Sequence, residues 1–467
     1  MGLRTGFATL LLVVLTGAAA AQVPAGERLL GLEITEAENE SFDAAFQRAR
    51  AAGATVTHRS LAWEDLEPDA GQFDAYSVAL LDDLDIYFSL TGQRVELNFG
   101  PIDTPNLRVP ADLAGVPLNA RVMIGRFNAA LDTVFAHLSH VELLSLEIGN
   151  ECDVYLGTDP VLYAQYRDFF TATKAHAESL YAAGHGGADL DVGITWTWDA
   201  LVDSVQGPLI EPLVQRQDVL PVTYYPLRPD FTVRPPEDVF GDLVRLVTAF
   251  PDTARPILLV ECGYPSSPVC GSSFQAQADF VDNVFLTWDA LADRIRYVSF
   301  FMLTDWSRAY VDLLADYYGL ADPAFLEFLR TLGLRLYPGD GFDKLGWRVL
   351  QCDAALRGFS AAPCDLVTGA DGVAPPAGEV ACRPNPANPS VTISCVSPRT
   401  GRVTATVYDV TGRRVRRLGE DIRPAGPVSW RWDGRDAAGG SAPAGVYLVR
   451  IVTPDGVRRT GRVVLVR

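Results

Sequence analysis

With 467 residues, 48% of them apolar, the chain is too long for one ordinary domain and can bury a large core, which excludes global disorder. Its formal charge of -19 is unevenly spread: residues 379–467 hold fifteen Arg, no Lys and seven acidic residues, so that stretch carries about +8 and the rest about -27. So acidic a main body excludes nucleic acid as its principal partner, since phosphates need cationic contacts. The Arg-rich tail could attract an anionic surface, although an ordinary solvated β-domain is the preferred reading.

In chain order, residues 1–21 have a basic Arg4, a short apolar core (Phe7 to Leu15) and an Ala-rich exit, the build of a secretory signal cleaved near Ala21. It is too short for a membrane span, and no other stretch reaches that length. A secreted or cell-surface protein is expected. Short apolar runs then alternate with helical patterns from about 27 to 350. Eight strand candidates follow in order: Leu29–Ile34, Thr55–Arg59, Arg94–Phe99, Leu143–Ile148, Leu190–Thr195, Leu220–Tyr224, Ile257–Val260 and Tyr297–Met302. Helical stretches between them include Ser41–Ala52, Leu118–His137, Leu162–Ala183, Glu237–Ala249 and Gln275–Leu291. Eight βα units within residues 27–364 predict a (β/α)8 TIM barrel of class α/β, with its chemistry at the C-terminal strand ends. A doubly wound sheet is the alternative, but GLEITEAENES after the first strand lacks a Gly-rich phosphate turn.

Residues 365–379, Gly/Pro/Ala-rich and without periodicity, predict a linker. Residues 380–467 alternate strand patterns such as RVTATVYDV and GVYLVRIV with turn clusters, which predicts a small all-β immunoglobulin-like sandwich. Of seven cysteines, the spacings 262/270, 352/364 and 382/395 suggest three local disulfides with Cys152 left over. No CxxC or His/Cys cluster argues for a metal, and no cofactor is expected.

The fourth strand candidate ends in Gly149-Asn150-Glu151, and the seventh, PILLVE, ends in Glu261. In a closed barrel these two ends face one cleft. Two carboxyls there suit retaining glycoside hydrolysis, where one attacks the anomeric carbon while the other protonates the leaving oxygen and then activates water. The pattern resembles the clan A retaining glycoside hydrolases, in which Asn-Glu ends strand four and Glu ends strand seven. That resemblance implies Glu151 as acid/base, Asn150 as the amide contacting the sugar 2-hydroxyl, and Glu261 as nucleophile.

THRSLAWEDLEPDAGQFD resembles the clan's Arg-containing second strand, which implies that Arg59 lies near the nucleophile and keeps it ionised. DVLPVTYYPLRPD resembles the Tyr-Tyr-Pro strand end of endo-galactanases and their relatives. Tyr224 or Tyr225 would then hydrogen-bond the nucleophile, and strand alternation turns only one of them inward, Tyr225 being favoured. YVSFFMLTDWS matches the last strand and GFDKLGW the closing helix. Two positions depart from the pattern. Phe301 and Met302 stand where the clan often places a Trp beneath the sugar, and Thr223 replaces a His two residues before Tyr225. Trp198 and Trp306 are candidate sugar platforms, and Glu33 and Asn98 are further candidates for reaching substrate. His58, beside Arg59, is expected to be a packed core imidazole, and Cys152 and Cys262, each following a candidate Glu, are expected to be structural.

The tail (NPANPSVTISCV, then VYDVTGRRVRRL, then GVYLVRI) resembles FlgD-like immunoglobulin-type sorting modules of outer-membrane secretion substrates. This implies an export or attachment role through the secretion machinery. The expectation is therefore an exported hydrolase of β-linked poly- or oligosaccharides. The alternative is a non-catalytic surface carbohydrate-binding or adhesion protein on the same barrel.

Overall fold

The computed structural model describes residues 24–361 and, between 380 and 465, all but a few positions. The expected signal (1–21), the linker (365–379) and Cys364 lie outside the described residues. One compact unit lies within residues 22–367 and a second within 368–467.

The first unit is a parallel barrel. Its strands are β1 (Leu29–Leu32), β2 (Val56–Ala62), β3 (Arg94–Gly100), β4 (Leu143–Glu147), β5 (Val192–Gly193), β6 (Trp196–Thr197), β7 (Leu220–Tyr224), β8 (Ile257–Cys262) and β9 (Ile295–Phe300). β5 pairs with β4, and β6 with β7. They are the two halves of one split fifth strand, so following neighbours around the sheet returns to the same stretch of chain and closes the barrel. Around it run α1 (Phe42–Ala51), α2 (Ala75–Thr91), α3 (Arg121–His137), α4 (Pro160–Gly184), α5 (Gly207–Val214), α6 (Val239–Ala249) and α7 (Phe274–Ala290). Two helices, α8 (Arg308–Tyr318) and α9 (Pro323–Arg330), are inserted after β9 before α10 (Leu345–Arg357) closes the barrel. Several starts are fixed locally: Ser41, Asp74 and Ser273 each accept a first-turn backbone N–H.

The barrel interior is apolar at its base, where Val56, Leu144, Val219, Leu258, Val260 and Tyr297 meet. Outside, Leu97, Leu146, Val222, Leu259 and Cys262 pack into the larger core between sheet and helices. β8 carries a bulge that matters for the site. Leu259 pairs with Val222 and Glu261 with Thr223, so Val260 is an extra residue. Strict alternation from the outward-facing Leu259 would send Glu261 outward too; the bulge turns it into the mouth.

The second unit has a three-stranded sheet, β10 (Val380–Arg383), β11 (Val391–Ser397) and β14 (Gly426–Trp432). Its other sheet is four-stranded, in the order β13 (Arg414–Arg423), β12 (Gly401–Asp409), β15 (Gly445–Val452), β16 (Arg458–Leu465). All pairs are antiparallel. Trp430, Trp432 and Tyr447 fill the core with Ile393, Val407 and Val449, so these aromatics are packing groups.

Two expected disulfides are absent. Cys262, Cys270, Cys382 and Cys395 are free thiols. Cys262 lies in the core between the sheet and helices, while Cys270 Sγ donates to the Ala324 carbonyl beside α9. Cys382 is opposite Ile393 and Cys395 opposite Val380, a diagonal offset beyond normal disulfide reach. Cys152, the expected odd cysteine, is free and buried.

Candidate active site

After β4 the chain passes through Ile148, Gly149 and Asn150 to Glu151. Gly149 has φ 105°, and a Cβ there would lie 2.5 Å from both Cys152 Sγ and Tyr166 Oη, so this turn admits only glycine. Tyr166 pins the turn by donating to the Ile148 carbonyl. Glu151 is itself left-handed (φ 42°, ψ 46°) at the head of a short helix, Cys152–Leu156. A bulkier residue than glycine held there costs roughly 1 kcal/mol or more and needs support from its surroundings. Two hydroxyls supply that support: Thr223 donates to Oε1 (2.7 Å) and Thr104 to Oε2 (3.2 Å).

Glu261 accepts from Tyr225 Oη at 2.6 Å. Thr223 and Tyr225 are two residues apart and share a face, so one strand end supplies the donor to each carboxyl. Tyr224 points the other way and donates to Asp242 of α6 (2.8 Å), which resolves the expected Tyr224/Tyr225 ambiguity in favour of Tyr225. Thr223, at the position of an expected His, is the residue that binds Glu151.

Both carboxyls are pushed up to about 7. Both are raised, first by removal from water, and Glu261 is raised further by Glu151 itself. The remaining influences are mixed at each carboxyl. Asp153 and Asp103 push Glu151 toward its protonated form, partly offset by Thr223 and Thr104. His58 and the Tyr225 hydroxyl pull Glu261 toward its ionised form, against a smaller push from Asp103. Two raised carboxyls acting on one another form a pair able to hold one proton between an acid and a nucleophile.

A second carboxyl pair lies beneath. Glu96 of β3 and Glu147 of β4 are fully buried, and His58 Nδ1 is 2.8 Å from Glu96 Oε2. The groups that act on Glu147 are the Glu96 carboxyl and, more weakly, the Ser145 hydroxyl. Two ionised carboxyls side by side in a buried place repel, which favours holding a proton on one of them. Burial pushes Glu96 up to about 8 and Glu147 well above the usual range.

Asn150 lies beside Glu151, and its Nδ2 donates to Asp103 Oδ1 at 3.1 Å. Asn98 is buried with its Nδ2 unpartnered, and Glu33 Oε2 is also unpartnered. Trp306 is half-exposed in an aromatic chain in which Phe301 lies edge-on to both Tyr225 (6.2 Å) and Trp306 (5.5 Å), and Trp306 in turn packs on Tyr310 (5.1 Å). Phe301 thus stands at the mouth beside the nucleophile candidate.

Two expectations fail. Arg59 stacks outward on Phe42 (5.0 Å) and Phe88 (5.2 Å), with Glu33 at 3.8 Å. Its neighbour His58 takes the inward face and is the group that favours ionised Glu261, because residues 58 and 59 alternate across β2. Trp198 is buried between Arg234 (4.9 Å) and Arg245 (5.8 Å) and donates to the Asp242 carbonyl, so it offers no face to a ligand. Asp103 and Thr104 escaped sequence reading, although they follow strand three much as Asn150 and Glu151 follow strand four.

Comparison with known proteins fits this architecture. An exo-β-1,4-mannosidase from an Opitutaceae bacterium superposes with TM-score 0.52 at 17% identity, over 72% of this chain and 60% of that one. A GH5_18 variant from Bifidobacterium longum solved with Manβ1-4GlcNAc gives 0.55 at 15%, over 72% and 79%. One from Streptomyces cattleya with the same disaccharide gives 0.53 at 18%, over 72% and 82%. At such identities the likeness establishes the fold, a (β/α)8 barrel. Residues 390–456 match the FlgD Ig-like domain model. No curated protein sequence matches the chain.

Proposed function

We propose that the chain is an exported retaining glycoside hydrolase acting on β-linked sugars. The observation that carries the reading is the pair Glu151 and Glu261, each fixed by a hydroxyl from the same strand end. In the first step a Glu261 oxygen bonds to the anomeric carbon as the glycosidic C–O bond breaks, and the Glu151 proton passes to the leaving oxygen. In the second, water attacks the same carbon, Glu151 takes its proton, and Glu261 leaves as carboxylate. Asn150 and the unpartnered amide of Asn98 are the groups free to bind sugar hydroxyls, with Phe301 and Trp306 as apolar faces.

Export rests on the N-terminal signal pattern, and a sorting or attachment role on the tail. These parts of the proposal are separable from the chemistry. The test is reducing-sugar release by the full chain from a panel of β-linked mannan, glucan, xylan and galactan, beside Glu151→Ala and Glu261→Ala. Activity lost in both variants, with azide restoring Glu261→Ala and inverting the product, supports the reading. Binding to a polysaccharide without cleavage favours the non-catalytic alternative.

A further inference from the structure

Forty-four residues, 301–344, separate β9 from α10, and they are fastened to several other loops at the barrel mouth. Toward the first strand, Thr35 Oγ1 donates to the Thr304 carbonyl (2.6 Å), and Arg335 pairs with Glu40 (2.8 Å). Toward the third, Tyr317 Oη donates to Asp103 (2.5 Å), and Asn106 Nδ2 donates to the Tyr317 carbonyl (3.3 Å). Arg108 donates to Tyr317 Oη (2.9 Å) while pairing with Glu64 and Asp65 from the loop after the second strand. On the opposite side, Phe231 from the loop after β7 packs on Phe325 (4.9 Å) and Phe328 (6.4 Å) of α9. Among the described residues, no hydrogen bond, ion pair or ring contact joins this segment to the loops after β4 or β6. The ties of this segment therefore run from the sixth strand around through the eighth to the third, and none of them reaches the fourth or fifth.

We infer that this segment roofs the mouth on that side, leaves it open over the fourth and fifth strands, and so makes the chain an exo-acting enzyme that admits a β-linked oligosaccharide by its non-reducing end and releases one sugar at a time. The inference rests on the hydrolase reading above and follows from which side is open. Glu151 protonates the leaving oxygen and stands at the end of the fourth strand, on the open arc. The leaving portion, which is the reducing side of the chain, departs there. The attacked sugar lies on the other side of the pair, under Tyr317 and Tyr318. Tyr318 is near enough to Asp103, Glu151 and Glu261 to feel their charges. An internal linkage would need sugars to continue through the Asp103–Tyr317–Arg108 clasp, and several charge-assisted hydrogen bonds would have to break to let them pass.

The clasp also bears on catalysis. Asp103, which holds Tyr317, is the acceptor that orients Asn150. A single carboxylate thus connects the roof to the amide beside Glu151.

The experiment follows early products from reducing-end-labelled β-1,4-linked manno-, gluco- and xylo-hexaoses with the full chain. The expected result, on whichever sugar is cut, is free monosaccharide and labelled pentaose, with shorter labelled species only later. Labelled di-, tri- and tetraoses from the start, with hydrolysis evident, overturn the roof and leave the hydrolase reading standing. No cleavage of any hexaose or polysaccharide overturns the hydrolase reading and this inference with it. Tyr317→Phe, which keeps the ring and removes the hydroxyl, is expected to raise the share of mid-length early products several-fold. A product pattern unchanged by both Tyr317→Phe and Tyr317→Ala counts against the clasp as the closing element.

Discussion

Thr104 and Glu151, from the loops after neighbouring barrel strands, both hold left-handed backbone and are hydrogen-bonded to each other. The described residues include one other non-glycine position with positive φ, Phe231. Two sparsely populated conformations in contact at a cleft are the kind of local cost that surrounding structure must hold in place, and such sites cluster where geometry is functional. Here the conformations aim one hydroxyl and one carboxyl at the same point. Replacing Thr104 with glycine relieves its backbone but removes the hydroxyl. The variant is expected to be no less stable, yet reduced in kcat/KM, as read from thermal melts beside kinetics.

Tyr225→Phe removes the donor to Glu261. A hydrogen bond to a charged group contributes about 1.5–3 kcal/mol, so kcat/KM is expected to fall on the order of 10- to 100-fold. Tyr224→Phe removes a buried hydroxyl from Asp242 and should lower stability by about 1 kcal/mol with little effect on turnover. Equal kinetic effects from both variants would contradict the assignment of the inward face to Tyr225.

His58 and Arg59 are predicted to separate in the pH profile. Glu261 must be ionised to attack, and His58 lowers its pKa. Removing the imidazole in His58→Gln raises the Glu261 pKa, so the acid limb of kcat/KM moves to higher pH. Arg59→Gln is expected to leave the limb in place. The groups that set this limb with His58 are Glu151, Asp103 and Tyr225 around Glu261, and Glu96 beneath the imidazole. A shift from Arg59→Gln alone would restore the resemblance-based role of the arginine.

Glu96 gives the barrel a pH-dependent stability whose sign is fixed. Its folded pKa, about 8, is above the ordinary 4.5, so the folded state holds the proton more tightly than the unfolded chain. The stability this contributes is fully present below about 4.5 and is lost as pH rises through about 8. Melting temperature is expected to decline across that window. Glu147→Gln, which keeps a hydrogen-bonding group but removes the shared charge, should flatten the decline and gain about 1 kcal/mol or more at the alkaline end.

Much of the candidate site was legible because barrel chemistry collects at C-terminal strand ends, and Asn150-Glu151 and Glu261 end two apolar runs. The direction of side chains was harder to read. A bulge at Val260 inverts the facing of Glu261, and a one-residue uncertainty in where β2 starts exchanges His58 for Arg59. α2 escaped notice because its apolar residues, such as Leu80, Leu81, Ile86, Phe88 and Leu90, are spread around the helix, so no single stripe marks it. The fifth strand, expected at Leu190–Thr195, stops short of its second half, Trp196–Thr197, because nothing local marks the split. Trp198 looked like a rim aromatic in sequence, and only the packing of Arg234 and Arg245 on its ring removes it from the cleft. The clasp through Tyr317 depends on a contact across 214 positions, which no local pattern carries.

The central claim is that Glu261 forms a covalent bond to the sugar. The most direct measurement is intact-mass and peptide-mapping spectrometry of the full chain after incubation with activated 2-deoxy-2-fluoro β-glycosides of mannose, glucose and galactose. The account predicts one added sugar per chain, located on the peptide containing Glu261 and absent in Glu261→Gln. Label on another residue, or continued turnover of a good substrate with no labelled intermediate and an inverted product, would contradict it.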